Sequence, residues 1–347
     1  MNVLYRKHRP QTFAEIHGQE HVVRTLNGAI LSGKPGHAYM FTGPRGTGKT
    51  TMARLLAKAL NCLNRKSGES EPCNKCDSCT SIGNGASLDL IEIDAASNRG
   101  IDEIRNIRDS AQVAATSSNY KVFIIDEVHM LTPPAFNALL KTLEEPPSHV
   151  LFVLATTEAH KVLDTILSRV QRFDFKKIPN KEIISKLKKI AKIEKLDAEP
   201  EALEAIATYS NGSLRDAESA LNKLMSYAGS KITAKDASEI LGIVDSAVHS
   251  ELLNALLAHE TKTAITKIAD LYESGIHIEH FTQQFINYLR KKLIDNLDNK
   301  QGESPHELAN MISVFIDART QLKNTPVPTL PLELAIVELT NNAAKDK

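Results

Sequence analysis

Eight consecutive residues, Gly43-Pro44-Arg45-Gly46-Thr47-Gly48-Lys49-Thr50, have the form G-x-x-x-x-G-K-[ST]. Glycines so placed let backbone N–H groups turn inward around phosphate oxygens. A helix beginning near Lys49 would aim its positive dipole end at the same point. Lys49 is expected to reach the β- and γ-phosphates of a nucleotide, and the Thr50 hydroxyl to ligate Mg²⁺. Thr51 follows in the first turn of that helix. The competing reading is a glycine-rich turn that holds no nucleotide.

A second set of groups closes two apolar runs. Val122-Phe123-Ile124-Ile125 is followed by Asp126-Glu127, a buried strand ending in two acids. Asp126 is a candidate Mg²⁺ ligand, directly or through water, and Glu127 a candidate general base toward an attacking water. Capping of the next helix is the alternative. His129 reads as a packed or hydrogen-bonded residue more than a catalytic one. Leu151–Ala155 ends in Thr156-Thr157, and the Thr157 hydroxyl is the preferred candidate to sense a γ-phosphate or orient the water. Ordinary β-propensity of threonine competes with that role.

All four cysteines, Cys62, Cys73, Cys76 and Cys79, fall in one short stretch. Cys73-x-x-Cys76-x-x-Cys79 sets three thiols on a tight loop, and no histidine lies nearby to supply the fourth position. Four thiolates suit a closed, structural Zn²⁺ site. Four unrelated free thiols are the alternative. The flanking Gly, Ser, Asn and Lys suggest a surface insert.

These groups need a scaffold that brings strand ends together. Apolar runs at Ala38–Thr42, Leu88–Asp94, Lys121–Asp126 and Val150–Thr156, with a shorter one near Arg172–Phe175, alternate with helical patterns. The alternation predicts a P-loop α/β domain: a five-stranded parallel sheet with helices on both faces. After Pro179 only helical periodicity remains. Ile183, Ile184, Leu187 and Ile190 mark one stripe; Leu252, Leu253, Leu256 and Leu257 mark another; Phe281, Phe285, Tyr288 and Leu289 a third; Leu332, Ala335, Ile336 and Leu339 a last. The expected division is an α/β domain at 1–178 with the cysteine insert at about 62–80, an all-helical lid at 179–242 and an all-helical collar at 243–347.

Lys+Arg and Asp+Glu both number 42, so contact with nucleic acid requires a local basic patch rather than a basic body. The opening Met1–Lys7 contains no apolar core of a signal peptide, and no apolar run is long enough to span a bilayer. A cytoplasmic location is expected.

The phosphate loop, Asp126-Glu127-Val128-His129 and the paired threonines, at these intervals, resemble the AAA+ ATPases. Leu139-Leu140-Lys141-Thr142-Leu143-Glu144-Glu145-Pro146-Pro147, Ile166-Leu167-Ser168-Arg169 and the opening Tyr5-Arg6-Lys7-His8-Arg9-Pro10, with Phe13 and Gly18-Gln19, narrow this to the clamp-loader clade. With the four cysteines, the chain is similar to the gamma/tau subunits of bacterial DNA polymerase III. The resemblance covers essentially the whole chain, densely to about Leu221 and more weakly beyond.

The resemblance implies an ATP-hydrolysing motor that uses ATP with Mg²⁺ and carries a structural Zn²⁺. Its implied partners are the delta and delta-prime subunits, further copies of itself, the beta sliding clamp and primer–template DNA. No membrane and no polymerase active site of its own are expected. Ser168-Arg169 matches a Ser-Arg-Cys motif whose arginine acts on a neighbour's ATP; Val170 replaces the cysteine, which is not the catalytic element. An exposed arginine in a salt bridge is the alternative. Gly212-Ser213-Leu214-Arg215-Asp216 matches the second sensor motif, with Asp216 competing for Arg215. By the same resemblance, Leu214 and Val22 would line an adenine pocket. Asn98, Arg99, Arg105 and Arg108 are candidates for phosphate contact with DNA, against salt bridges to Asp102, Glu103 and Asp109. A non-hydrolysing zinc-bearing scaffold of the delta-prime kind is the runner-up, and a branch-migration motor a third reading. The chain's end, soon after the collar, leads to the expectation that it behaves as the short, gamma-like form.

Overall fold

The computed structural model describes residues 3–298, 304–322 and 325–341; the last six residues of the expected collar lie outside them. The chain folds into two compact units, 1–198 with 206–231, and 199–205 with 232–347.

The first unit is built on five parallel strands: β1 (Ala38–Thr42), β2 (Leu90–Asp94), β3 (Lys121–Asp126), β4 (Val150–Thr156) and β5 (Gln171–Asp174), in the order β2-β3-β4-β1-β5. The three inner strands are apolar and buried along almost their whole length, because helices cover both faces. Alternate residues separate into two cores. Tyr39, Phe41, Val122, Ile124, Leu151 and Val153 face α2 (Glu20–Leu31) and α3 (Lys49–Leu60). Met40, Phe123, Ile125, Phe152 and Leu154 face α5 (Ile101–Gln112) and α6 (Pro133–Glu144). Strand β2 begins at Leu90, two residues later than the apolar run. Leu88 is exposed, and the Asp89 carboxylate accepts from the backbone N–H groups of Thr116 and Ser117 at 2.7 and 2.9 Å, turning the chain there.

Parallel register brings the strand ends level. Thr42 of β1 lies beside Thr156 of β4, and Asp94 of β2 beside Asp126 of β3. The crevice beyond these carboxyl ends is where an open α/β sheet binds ligands. Three further elements of this unit border it. The short α1 (Leu4–Lys7) packs against α10 (Leu214–Ala228), which in turn contacts α8 (Asn180–Glu194). Ser213 caps α10 by accepting from the Asp216 N–H at 3.2 Å.

The second unit is helical and has its own core. Leu252, Leu253 and Leu256, Phe281, Phe285 and Leu289, and Leu332, Ala335 and Ile336 bury against one another, as the helical stripes predict. The half-buried Leu257 and Tyr288 pack on that core.

Candidate functional site

Between β1 and α3 the backbone is bent by glycines. Gly43 (φ +137°) and Gly46 (φ +74°) take conformations that L side chains rarely adopt. A Cβ on Gly43 would collide with the Phe175 carbonyl, and one on Gly46 with the Ser213 hydroxyl. The loop is therefore pressed against both the sheet edge and the start of α10. The Leu214 N–H donates to the Gly46 carbonyl at 3.1 Å.

Lys49 opens α3 and is 6% exposed. Its ammonium donates to the Gly43 and Pro44 carbonyls at 2.7 and 2.9 Å. Burial draws its pKa down, against the pull of Glu127 and Asp126. One residue on, the Thr50 hydroxyl donates to Asp126 Oδ2 at 2.8 Å, so the loop and the end of β3 converge.

Glu127 turns away from the strand with φ +48°, a left-handed conformation that costs a non-glycine residue about 1 kcal/mol or more. This re-aims its carboxylate toward β4. The Thr157 N–H and hydroxyl donate to Glu127 Oε2 at 3.2 and 3.0 Å. His129 lies half-buried beside them, with Nδ1 2.9 Å from Thr156 Oγ1 and 3.4 Å from Glu127 Oε2, and Nε2 3.1 Å from Glu158.

One cleft takes in Arg45, Gly46, Thr47, Gly48, Lys49, Thr50 and Thr51 of the loop together with Asp126, Glu127, Leu214 and Arg215. Several of its residues lie outside the phosphate loop and the β3 acids. Tyr5, Arg6, Arg9 and Pro10 form one side with Ile16 and His17, and Lys186 and Glu218 reach in from α8 and α10. The Arg215 guanidinium lies 4.9 Å over the Tyr5 ring, and its hydrogen bonding holds the Tyr5 phenol below its usual pKa. Burial and the neighbouring Arg54 lower the pKa of Arg9, with Glu92 opposing. Cations outnumber acids around this cleft, which suits a polyanion. Val22 is not brought into the cleft; it is fully buried in the core with Leu26 and Met52, and cleft-lining Ile16 packs on that core.

Arg169 is also elsewhere. It borders a separate surface hollow with Glu144 and Ser168, none of whose lining residues belongs to the cleft. Its guanidinium donates to Glu144 Oε1 at 2.6 Å and to the Thr165 carbonyl at 2.8 Å while staying 34% exposed. Arg105 and Arg108 pair with Asp102 and Asp109 at 2.9 and 2.8 Å on the surface.

The four cysteine sulfurs lie within 4.8 Å of one another, and Cys73 and Cys79 Sγ are 4.0 Å apart. Sulfurs of a tetrahedral Zn–S₄ centre sit roughly 3.8 Å apart at a Zn–S length of ~2.3 Å, so the set is compatible with such an ion. Backbone N–H groups of Lys75 and Cys76 approach Cys73 Sγ at 3.4 and 3.3 Å and pull its pKa down to about 6. Burial pushes the Cys79 thiol up. The donor set is all-sulfur and closed, which fits a structural metal rather than an open catalytic one.

Family profiles match consecutive parts of the chain: the DNA polymerase III delta subunit at 18–179, the clamp-loader ATPase lid domain at 182–229, and domain III of the gamma and tau subunits at 232–312. The chain is 42% identical to DNA polymerase III subunit tau of Bacillus subtilis over 97% of its own length and 62% of that protein. It is 39% identical to the Escherichia coli tau subunit over 94% of its length and 50% of that protein. The DNA polymerase III subunit gamma of Buchnera aphidicola is 39% identical, with 97% of this chain and 98% of that one covered. The chain thus spans about half to three fifths of the two tau subunits and nearly all of the gamma subunit. Among solved structures, a Thermotoga maritima RuvB variant superposes with a TM-score of 0.51 at 19% identity, over 72% of this chain and 80% of that one, which establishes a shared AAA+ fold. With a five-stranded parallel sheet, a phosphate loop and relatives of this identity and coverage, the chain belongs to the gamma/tau family of DNA polymerase III clamp-loader subunits.

Proposed function

We propose that the chain is the ATP-hydrolysing motor of a bacterial clamp loader, with the cleft as its nucleotide site. The observation that carries this is the Thr50–Asp126 hydrogen bond, which joins the phosphate loop to the acids of β3. Gly43–Thr51 would cradle the phosphates through backbone N–H groups, with Lys49 turning from the loop carbonyls to the β- and γ-phosphates. Thr50 and Asp126 would hold Mg²⁺. When bound, that ion supplies charge neutralisation at the phosphate oxygens. Glu127 would accept the proton of the attacking water, and Thr157 would orient Glu127 or read the γ-phosphate. Arg215 would read the nucleotide from the lid, and Leu214 would lie on the base side.

Arg169 is assigned to a neighbouring subunit's nucleotide; its exposure and separate hollow support action in trans. Cys62, Cys73, Cys76 and Cys79 are assigned to a structural Zn²⁺. The delta and delta-prime subunits, further copies of the chain, the beta clamp and primer–template DNA are the proposed partners. The proposed division is 1–178, 179–242 and 243–347; the profile matches change at 179–182, as that division has it, and again at 229–232, ahead of its second boundary. No single helix among the described residues is long and apolar enough to cross a membrane. We place the chain in the cytoplasm.

The test is ATP turnover by the chain assembled with delta and delta-prime, with and without clamp and primed DNA, beside Lys49→Ala and Arg169→Ala. Stimulation by clamp and DNA, abolished by either substitution, is the expected result. Turnover no higher than that of Lys49→Ala would reduce the chain to a non-hydrolysing scaffold.

A further inference from the structure

The side of the cleft formed by residues 5–17 contains little regular structure. Helix α1 spans four residues, and a single 3-10 turn covers Phe13–Glu15. Such a stretch has few internal hydrogen bonds to fix it, so its position must come from partners elsewhere. The cysteine insert supplies those of Gln11–Ala14, while α8 holds the flanks, through Glu194 to Lys7 and His8, Lys186 to the His8 carbonyl and Glu182 to His17. The two oxygens of the Glu71 carboxylate accept from the consecutive N–H groups of Phe13 and Ala14 at 2.8 and 2.9 Å. Asn74 Nδ2 donates to the Gln11 carbonyl at 3.1 Å. Glu71 and Asn74 flank Cys73, so whatever fixes the Cys73 thiolate also fixes both clamps. From beneath, Lys58, 3% exposed on the helix that begins with Lys49, donates to Gln11 Oε1 at 2.7 Å.

We propose that Glu71 is a positioning residue for nucleotide binding: it ties the cysteine module to Gln11–Ala14 and so holds Tyr5, Arg9, Ile16 and His17 in place against the bound nucleotide. The inference rests on the nucleotide reading of the cleft. A charge-assisted bond to each of two adjacent N–H groups leaves little freedom to the chain between them. Neither Phe13 nor Ala14 lines the cleft; the chain does so up to Pro10 and again from Ile16. The coupling therefore bears on affinity, through cleft residues other than Lys49, Asp126 and Glu127, and leaves the hydrolytic groups untouched.

The experiment compares wild type, Glu71→Ala, Glu71→Gln and, as a control within the same module, Glu69→Ala. It measures the Kd of a fluorescent ATP analogue, bound metal per chain, amide exchange at Phe13 and Ala14, and kcat and KM separately. Glu71→Ala is expected to keep its metal, to expose both amides to faster exchange, and to weaken binding about tenfold, close to 1.4 kcal/mol. KM should rise with kcat nearly unchanged. Glu71→Gln retains one acceptor oxygen and should fall between, and Glu69→Ala should match wild type. Unchanged Kd and KM in Glu71→Ala overturn the proposal, as does loss of metal from both Glu71 variants, since Glu71 would then serve the module alone. A wild type that binds no analogue overturns the nucleotide reading itself, an outcome distinct from a difference between variants.

Discussion

The Thr157 hydroxyl, at the end of β4, donates to Glu127 Oε2 at 3.0 Å, and the Thr157 N–H points at the same oxygen. Glu127 is thus engaged before any substrate arrives. Its left-handed backbone aims it at this partner. A carboxylate oxygen that accepts two hydrogen bonds is held in one orientation. In the proposed role as general base, Glu127 would have to share or leave Thr157 during hydrolysis.

The corresponding prediction concerns two substitutions. Glu127→Gln should retain ATP binding, because Lys49 and Thr50 remain, while turnover falls roughly 10²–10⁴-fold with loss of the base. Thr157→Val should leave the Kd for ATP within about twofold and lower kcat, since a valine neither orients Glu127 nor reads a phosphate. Equilibrium binding and single-turnover rates on the same preparations separate the two effects. A Thr157→Val enzyme with wild-type kcat removes Thr157 from the mechanism.

Arg169 yields a prediction about assemblies. Its guanidinium is paired with Glu144 and distant from its own cleft, so Arg169→Ala should bind nucleotide as wild type does. Turnover in the assembly should fall roughly 10³–10⁵-fold at each junction that receives the altered residue. Mixing Lys49→Ala chains with Arg169→Ala chains discriminates: each defect lies in a different half of a junction, so some junctions join two intact halves. Partial recovery of turnover in the mixture is expected. No recovery at any ratio argues for action within one chain.

The extent to which this site is legible in the sequence follows from where its information resides. The phosphate loop and the β3 acids are contiguous and declare their strand and helix through apolar spacing, so Lys49, Thr50 and Asp126 can be placed directly. Tyr5, Arg9 and Pro10 can be quoted only as part of a resemblance, because their position depends on the tertiary clamp at Gln11–Ala14 and no spacing reports it. For Arg169 the sequence leaves a salt bridge and action on a neighbour both open; the structure supplies the salt bridge to Glu144, which is compatible with both. The resemblance puts Val22 at the base, but an apolar residue early in α2 satisfies helical periodicity equally well inside the core, where it lies. No spacing singles out Lys186 and Glu218, and only packing brings them to the cleft.

Removal of metal should loosen the first unit. Three of the four cysteines are nearly buried, and without an ion their sulfurs face one another with little to compensate. Cys79→Ser, or dialysis against a strong chelator, should lower the Tm and abolish the stoichiometric metal signal. Even ~2 kcal/mol corresponds to roughly 4–8 °C for a unit of this size. A chelated chain with an unchanged Tm would leave the cysteines without a structural role.

Glu218 provides a prediction in pH. It is 6% exposed on α10, and burial pushes its carboxyl pKa up to about 7, with Lys186 and Arg9 opposing. In the unfolded chain a glutamate titrates near 4.3. Between these values the folded protein holds a proton that the unfolded chain has released. The unfolded state then binds fewer protons, and stability falls as pH rises through the window, levelling above about 7. The contribution is roughly 4 kcal/mol across the interval. Glutamine at this position stays neutral throughout. Glu218→Gln should therefore resemble wild type near pH 5 and exceed it in stability at pH 8, the gap opening between those limits. Denaturant midpoints for both proteins at pH 5, 6, 7 and 8 measure this directly. A constant difference across the series would mean that Glu218 is ionised in the folded protein at every pH tested, with Lys186 and Arg9 outweighing its burial.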